Sequence, residues 1–405
     1  MIQGLYERSA GLDVHKMVIV ATLLRMQANG QLDSQTREFS ACQGGLEQLA
    51  DWLEAAQVEL VAMESTGVYW KSVYEALEAR GLTVWVVNAY HVKNVPGRKT
   101  DVLDSQWLAE LARCGLLRAS FIPPKDLREL RLWTRYRQKL AGMLSAEKNR
   151  LHKILDDGGI RLGGVASDIN GVSARRMIDA LIAGEEPAKI AELAIGRLRR
   201  KRSQLEEALH GHLSDRHRWL LRELQSHIED LETRLSQLDD QVVAAMKPYE
   251  AEWRRSQTIP GFDEISASIL VVECGVDMAQ FGKAARLSSW AGVCPGNHET
   301  AGKRKSGRSR PGNRYLRQVL CEAANSARKT HSQFKAMYEA LVIRRGHKRA
   351  IMAIAHKLLE VYFVMNKKQE PYRDPTVNYE ELMVKRNAPR WIKALQKYGL
   401  WPSHV

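Results

Sequence analysis

Hydrophobic positions along the chain follow two different rhythms. Over the first ~115 residues they alternate between strand and helix patterns. Residues 9–24, rich in Val and Ile, predict a long strand or a pair of strands. Leu46, Leu49 and Leu53 fall at helical spacing within 44–56. VELVAME (58–64) and LTVWVVNA (82–89) are short apolar runs of strand length, and 70–80 and 102–115 predict helices, the second ended by Gly115. Strands alternating with helices predict a layered α/β domain.

The pair Pro123-Pro124 breaks this pattern, and the chain beyond it is helical. Residues 126–155 carry Leu127, Leu130, Leu140, Leu144, Leu151 and Leu155 at three- and four-residue steps, followed by a Gly-rich loop at 158–171. A stricter register runs through Leu221, Leu224, Ile228, Leu231, Leu235, Leu238 and Val242, with charges between. That register predicts a coiled-coil seam, for which pairing between two chains is favoured over packing inside the chain's own bundle. Pro248 closes this stretch. The expected organisation is four parts: 1–120, a helical coiled-coil region 121–255, a mainly α-helical third unit 256–346, and a basic helical tail 347–405 with Trp391 and Trp401 as packing anchors.

Charge sharpens this division. The chain of 405 residues carries 61 Lys+Arg against 47 Asp+Glu, a net charge of +14. Residues 1–110 are acidic, with 9 basic and 14 acidic side chains, and the remainder is basic, 52 against 33. An acidic front suits cations held at carboxylates, and a basic back suits a polyanion, nucleic acid before membrane. No apolar run reaches the ~18 residues of a membrane span, and no basic-then-apolar leader opens the chain. The five cysteines are scattered without a C-x-x-C pair, so a disulfide scaffold or zinc finger is not expected, and the reducing cytoplasm, near the nucleoid, is the expected compartment.

Two sets of residues carry chemistry. Asp13 lies in the strand GLDVHKMVIV, Glu64 ends VELVAME, and Asp101 and Asp104 open the helix of KTDVLDSQWLAEL. Residues three apart share a helix face, so the two aspartates can address one spot. Each acid taken singly has an ordinary structural explanation. Together, they form the oxygen-rich set that hard Mg²⁺ ions take, and paired ions can clamp both oxygens of a phosphoryl transfer. The second set is WAGVCPGNHETAGKRKSGRSRPGNRYLR at 290–317. Lys303, Arg304, Lys305, Arg308, Arg310, Arg314 and Arg317 follow one another there without an acid, and Gly302, Gly307 and Gly312 keep the backbone adaptable. Thr300, Ser306 and Ser309 set hydroxyls among the cations, where one can attack a phosphodiester; a solvated loop that grips a backbone nonspecifically has the same composition. Ile259-Pro260-Gly261-Phe262 before an apolar helix resembles half of a helix-hairpin-helix, whose turn aims N–H groups at a phosphate.

GLDVHK, MESTGVYW, KTDVLDSQWLAEL, TIPGFDEISASIL and WAGVCPGNHETAGKRKSGRSRPGNRYLR, in this order, resemble transposases of the insertion-sequence 110 family, and SQWL, GLLRASFIPP and CPGNHE point to its 1111 branch. The resemblance implies an RNase H-like, RuvC-like front domain with a DEDD site formed by Asp13, Glu64, Asp101 and Asp104. It implies Mg²⁺, or Mn²⁺, as cofactor, and a second catalytic domain from about 256 that supplies a serine nucleophile. It further implies DNA as substrate, a noncoding guide RNA encoded by the element itself, and assembly as a homo-oligomer, dimer or tetramer, with active sites shared between protomers. Spaced from Gly292-Val-Cys-Pro295, the nucleophile position falls on Thr300 rather than a serine, and Ser306 in KSG is the alternative. Thr keeps the hydroxyl, but its β-methyl crowds attack. Ser105 follows the second paired Asp where the family usually has Ala. The expected function is RNA-guided, site-specific DNA recombination through a covalent protein–DNA intermediate. No G-x-x-x-x-G-K-[ST] loop is present, in keeping with a reaction that conserves phosphodiester energy. Two other readings keep fewer of these parts: a Mg²⁺-dependent, Holliday-junction-type endonuclease that uses water, and a non-enzymatic nucleic-acid scaffold.

Overall fold

The computed structural model describes residues 5–27, 29–65, 67–93, 104–296, 298–300, 302–307, 309, 311–375 and 379–400. It divides into two compact units, 1–125 and 126–405.

The first unit is built on a five-stranded sheet of order β3-β2-β1-β4-β5. β1 (Arg8–Val14), β2 (Val18–Met26) and β3 (Leu32–Ser40) form an antiparallel meander, and β4 (Leu60–Glu64) and β5 (Val84–Val87) add in parallel beside β1. Residues 9–24 thus form a hairpin pair, not one long strand. α1 (Gln43–Ala55) and α2 (Trp70–Ala79) cover one face, a short α3 (Ala89–Lys93) follows β5, and α4 (Asp104–Arg113) covers the other. The pleat sorts the side chains. Ala10 and Leu12 of β1, Ile19, Ala21 and Leu23 of β2, and Val61 and Met63 of β4 pack with Leu46, Leu49, Leu53, Val73 and Leu77 of α1 and α2. The intervening positions face α4: Leu60, Ala62 and Val87 pack with Trp107, Leu108 and Leu111. This is a mixed α/β layer, and its strand order is consistent with the RNase H-like arrangement that the resemblance implies.

β3 is absent from the pattern in the sequence because only Phe39 of LDSQTREFS is buried. It is an edge strand, wet on both faces along most of its length, and pairing with β2 rather than apolar alternation holds it.

The second unit is helical. α5 (Lys125–Asp157) is followed by α6 (Leu162–Val165), α7 (Val172–Ala183), α8 (Pro187–Glu192), a 3₁₀ turn (Gly196–Lys201), α9 (Arg202–Leu209) and α10 (Asp215–Ala245). α10 begins with a capping box in which Ser214 and His217 satisfy each other's backbone N–H groups. α5 and α10 run antiparallel, because their ion pairs march in opposite directions: Arg137 with Asp239, Lys148 with Glu232, His217 with Asp157. The heptad positions of α10 are filled from inside this chain. Leu221, Leu224 and Ile228 join the core formed with Leu151, Leu155, Met177 and Leu181, while Leu231 and Leu235 pack on Leu140. This corrects the preference for pairing between chains: Leu221, Leu224, Ile228, Leu231, Leu235 and Val242 are already buried in one copy. A seam pattern reports that a partner exists, not which chain supplies it. The Gly-rich stretch 158–171 also holds α6, and its Ile160 and Leu162 are buried.

The rest of the unit contains α11 (Glu250–Gln257), α12 (Glu264–Cys274), α13 (Ala284–Ala291), the hairpin β6 (His298–Thr300) and β7 (Lys303–Ser306), α14 (Arg314–Ala327), α15 (Gln333–Arg345), α16 (His347–Lys368) and α17 (Tyr379–Lys397). α12 is buried all round from Ala267 to Cys274, with Ser268 and Glu273 as the polar members of an otherwise apolar run. α16 packs on α13, α14 and α15, with Ile354, Leu358, Leu359 and Tyr362 fully buried, and the Tyr362 hydroxyl donates to the Gly275 carbonyl at 2.8 Å. Residues 347–368 are therefore part of this core, not of a separate tail. Trp391 is half exposed, so it does not act as the expected packing anchor; Trp401 lies outside the described residues.

Candidate functional site

The four predicted acids belong to the first unit. Asp13 stands on β1 and Glu64 on β4, one step beyond the last paired residues, Leu12 and Met63. Neighbouring strands lie about 4.8 Å apart. Asp13 shares the face of Gly11, and Glu64 that of Leu60 and Ala62, which is the face that α4 covers. Asp104 is the first residue of α4. The three acids therefore stand at the carboxyl-terminal edge of two parallel strands and at the start of the helix packed over them. Asp101 lies outside the described residues.

The local sequence explains how α4 comes so close. A Cβ on Gly11 would lie 2.0 Å from the Ser105 carbonyl oxygen and 2.4 Å from the Ala109 nitrogen, so only glycine lets the α4 backbone lie on β1. Two buried hydroxyls fix the register. The Ser9 hydroxyl donates to the Ala109 carbonyl at 3.0 Å, and the Thr22 and Ser105 hydroxyls are hydrogen-bonded at 2.8 Å. Ser105, a minor departure in the sequence, thus has a structural partner. Gly11, Ser9 and Thr22 are supporting residues that the acid pattern did not reveal; the signal was the glycine inside a strand, GLD.

His15 Nε2 lies 3.1 Å from Asp13 Oδ2, the other feature missed in the sequence. It places an imidazole nitrogen at the same edge. Oxygen donors of this kind suit a hard divalent cation. Among the described residues, no group of three or more His, Cys, Asp or Glu side chains converges closely enough to hold an ion.

The basic segment is in the second unit. Thr300 pairs with Lys303 and His298 with Ser306 across the β6–β7 hairpin, with an irregularity in register between His298 and Glu299. Both candidate hydroxyl residues therefore stand on one hairpin, near Lys303, Arg304 and Lys305 in the chain. Arg308 and Arg310 lie outside the described residues. Arg314 and Arg317 are on α14, and the Arg314 guanidinium lies 4.8 Å from the Tyr315 ring centre and donates to its hydroxyl at 2.9 Å.

The segment rejoins the helical body at Asn313, and a buried ion network holds that junction. Asn313 Oδ1 accepts from the Tyr315 and Leu316 N–H groups, capping α14, while its Nδ2 donates to Glu273 Oε2 at 2.7 Å. Glu273 is fully buried on α12. Arg135 grips it with two hydrogen bonds, 2.7 and 2.9 Å, and Arg131 lies 3.2 Å away. Burial opposes the charge on Glu273, but the Arg135 hydrogen bonds and both guanidinium charges outweigh it and hold the carboxyl below its ordinary range. Burial lowers the Arg131 guanidinium to about 10 despite Glu273. Gly312 also lies against the α13 terminus, where a Cβ would be 2.4 Å from the Gly292 nitrogen. The Pro260-Gly261 turn is another packing device. A Cβ on Gly261 would lie 2.2 Å from the Ala323 carbonyl, so the turn is pressed on α14.

Comparison with known proteins decides the family. The DEDD transposase model of the IS110 family matches residues 10–159, and the model described as transposase of the IS116/IS110/IS902 family matches 254–339. The chain belongs to the IS110 family of transposases. It is 25% identical over 338 residues to a "Probable family 20 transposase" of Pseudomonas aeruginosa, covering 80% of this chain and 89% of that one. It is likewise 25% identical over 336 residues to the "Transposase for insertion sequence element IS1111A" of Coxiella burnetii, covering 80% and 82%. As an IS110-family transposase it catalyses DNA strand transfer in recombination. No helix among the described residues is long and apolar enough to cross a membrane.

Proposed function

We propose that this transposase recombines DNA through a covalent protein–DNA ester, at a divalent-metal site formed by Asp13, Glu64, Asp101 and Asp104, with a noncoding RNA from its own element choosing the sites. The observation that carries the reading is the shared face of Asp13 and Glu64 on adjoining parallel strands, with Asp104 opening the helix above them. A bound Mg²⁺ or Mn²⁺ supplies Lewis-acid polarisation of the scissile phosphate.

The chain's residues do the rest. The hydroxyl of Thr300, or of Ser306, attacks phosphorus and loses its proton. A phosphoester bond to the protein forms as the bond to the DNA oxygen breaks, and that oxygen leaves as a hydroxyl once protonated. A free DNA hydroxyl later attacks the same phosphorus and releases the side chain, so the number of phosphodiester bonds is conserved and no nucleotide cofactor is consumed. Lys303, Arg304 and Lys305 of the hairpin, with Arg308, Arg310, Arg314 and Arg317 beyond it in the chain, hold phosphates. Base pairing by the RNA carries sequence choice, which leaves these side chains a backbone-binding role. A dimer or tetramer brings the acids of one copy to the hydroxyl of another.

The test is to incubate the full chain with Mg²⁺, element-encoded RNA and cognate DNA and to resolve denaturant-resistant protein–DNA species. Wild type forms the adduct, and Thr300→Ala or Ser306→Ala removes it. Cutting that persists in the double substitution, with no adduct, would instead establish the water-using endonuclease.

A further inference from the structure

Between the two regions that match family models lies a second concentration of cations. The 3₁₀ turn Gly196–Lys201 and the first residue of α9 carry Arg197, Arg199, Arg200, Lys201 and Arg202 without an intervening acid. All five are exposed, whereas Leu198 points inward and packs on the core beneath, beside Ala194 and Leu205. Arg199 donates to the Ala194 carbonyl and Lys201 to the Val165 carbonyl. No ion pair to a carboxylate engages any of the five among the described residues, although paired cations are common elsewhere on this unit.

This arrangement costs stability. A 3₁₀ turn rises about 2 Å per residue, so five like charges stand within about 10 Å. They also crowd the amino-terminal end of α9, whose backbone dipole disfavours cations there. A surface shaped for solubility alone interleaves the two signs. A phosphodiester backbone reverses each of these penalties, since it brings regularly spaced negative charge to the patch and releases counterions on contact.

We infer that Arg197–Arg202 is a second phosphate-binding surface, which grips duplex DNA. Three of these side chains, Arg197, Arg200 and Arg202, make no hydrogen bond among the described residues and can turn to a strand without breaking the fold.

The test is fluorescence anisotropy of the full chain with a labelled 30-base-pair DNA duplex over a salt series, comparing wild type with the triple substitution Arg197→Ala, Arg200→Ala, Arg202→Ala. The surface predicts a 10- to 100-fold weaker complex near 0.15 M salt, roughly, and a salt slope reduced by about 2–3. The melting temperature does not fall, because like charges have been removed. The triple Lys substitution keeps the affinity. Unchanged affinity and slope in the folded Ala variant overturn the inference, as does a loss confined to an RNA duplex. The anisotropy is read without added divalent metal and without any cutting, so failure of the proposed metal site is read separately.

Discussion

Glu273→Ala removes the acid from a buried network and leaves its partners in place. Arg131 is 13% and Arg135 31% exposed, and both turn toward a carboxylate that has no exposure at all. Breaking a buried pair from one side costs about 3–5 kcal/mol, because the charges that remain lose their counter-charge in a largely dry site; Arg131 keeps the Val272 and Glu273 carbonyls and Arg135 the Tyr315 ring face. For a unit of this size that cost lowers the melting temperature by about 5–9 °C. The same loss frees Asn313 Nδ2 and loosens the α14 cap where the basic segment rejoins the body. The sign with pH follows from a carboxyl held below its ordinary value: its contribution is complete above the unfolded-state pKa, about 4.3, and disappears as pH falls through the folded-state value. Glu273→Gln keeps the shape and lacks this acid-dependent part. Calorimetry or circular-dichroism melts of the three proteins from pH 3.5 to 7 measure both effects. If Glu273→Ala melts within 2 °C of wild type at pH 7, roughly, the ion network does not hold the junction as argued.

Other substitutions test separate links. Gly11→Ala drives a methyl into the Ser105 and Ala109 backbone, so α4 must lift; the expected loss is about 1–3 kcal/mol in melts, with DNA cutting reduced because Asp104 moves with the helix. Leu235→Ala opens a cavity between α10 and α5 and should cost about 2–4 kcal/mol by denaturant titration. Sedimentation of that variant should show the wild-type oligomeric state, since this seam is closed within one chain; dissociation into smaller species would return the seam to the interface between copies.

The sequence makes β1, β4 and α4 legible because each is an apolar run or stripe that must be buried, and the acids at their ends follow from the strand and helix limits. β3 is hidden because its nine residues bury only Phe39, and a partner strand, not its own pattern, fixes it. The heptad in α10 is legible as a buried stripe, whereas the chain that covers it is a matter of topology. Glu273 reads as one more position in the apolar run ASILVVEC; its partner Arg131 is 142 residues earlier, and no local spacing announces that meeting. The close approach at Gly11 is announced only by a glycine inside a strand.

The proposed chemistry requires that acids far apart in the chain hold divalent metal beside the reacting phosphate. Anomalous diffraction from crystals of the full chain with DNA and Mn²⁺ tests it most directly. The expected map has a manganese peak coordinated by Asp13 and Glu64 with Asp101 or Asp104, and that peak is lost in Asp13→Asn. A peak bound elsewhere, or a Mn²⁺-loaded complex that cuts DNA with these four acids unliganded, would contradict it.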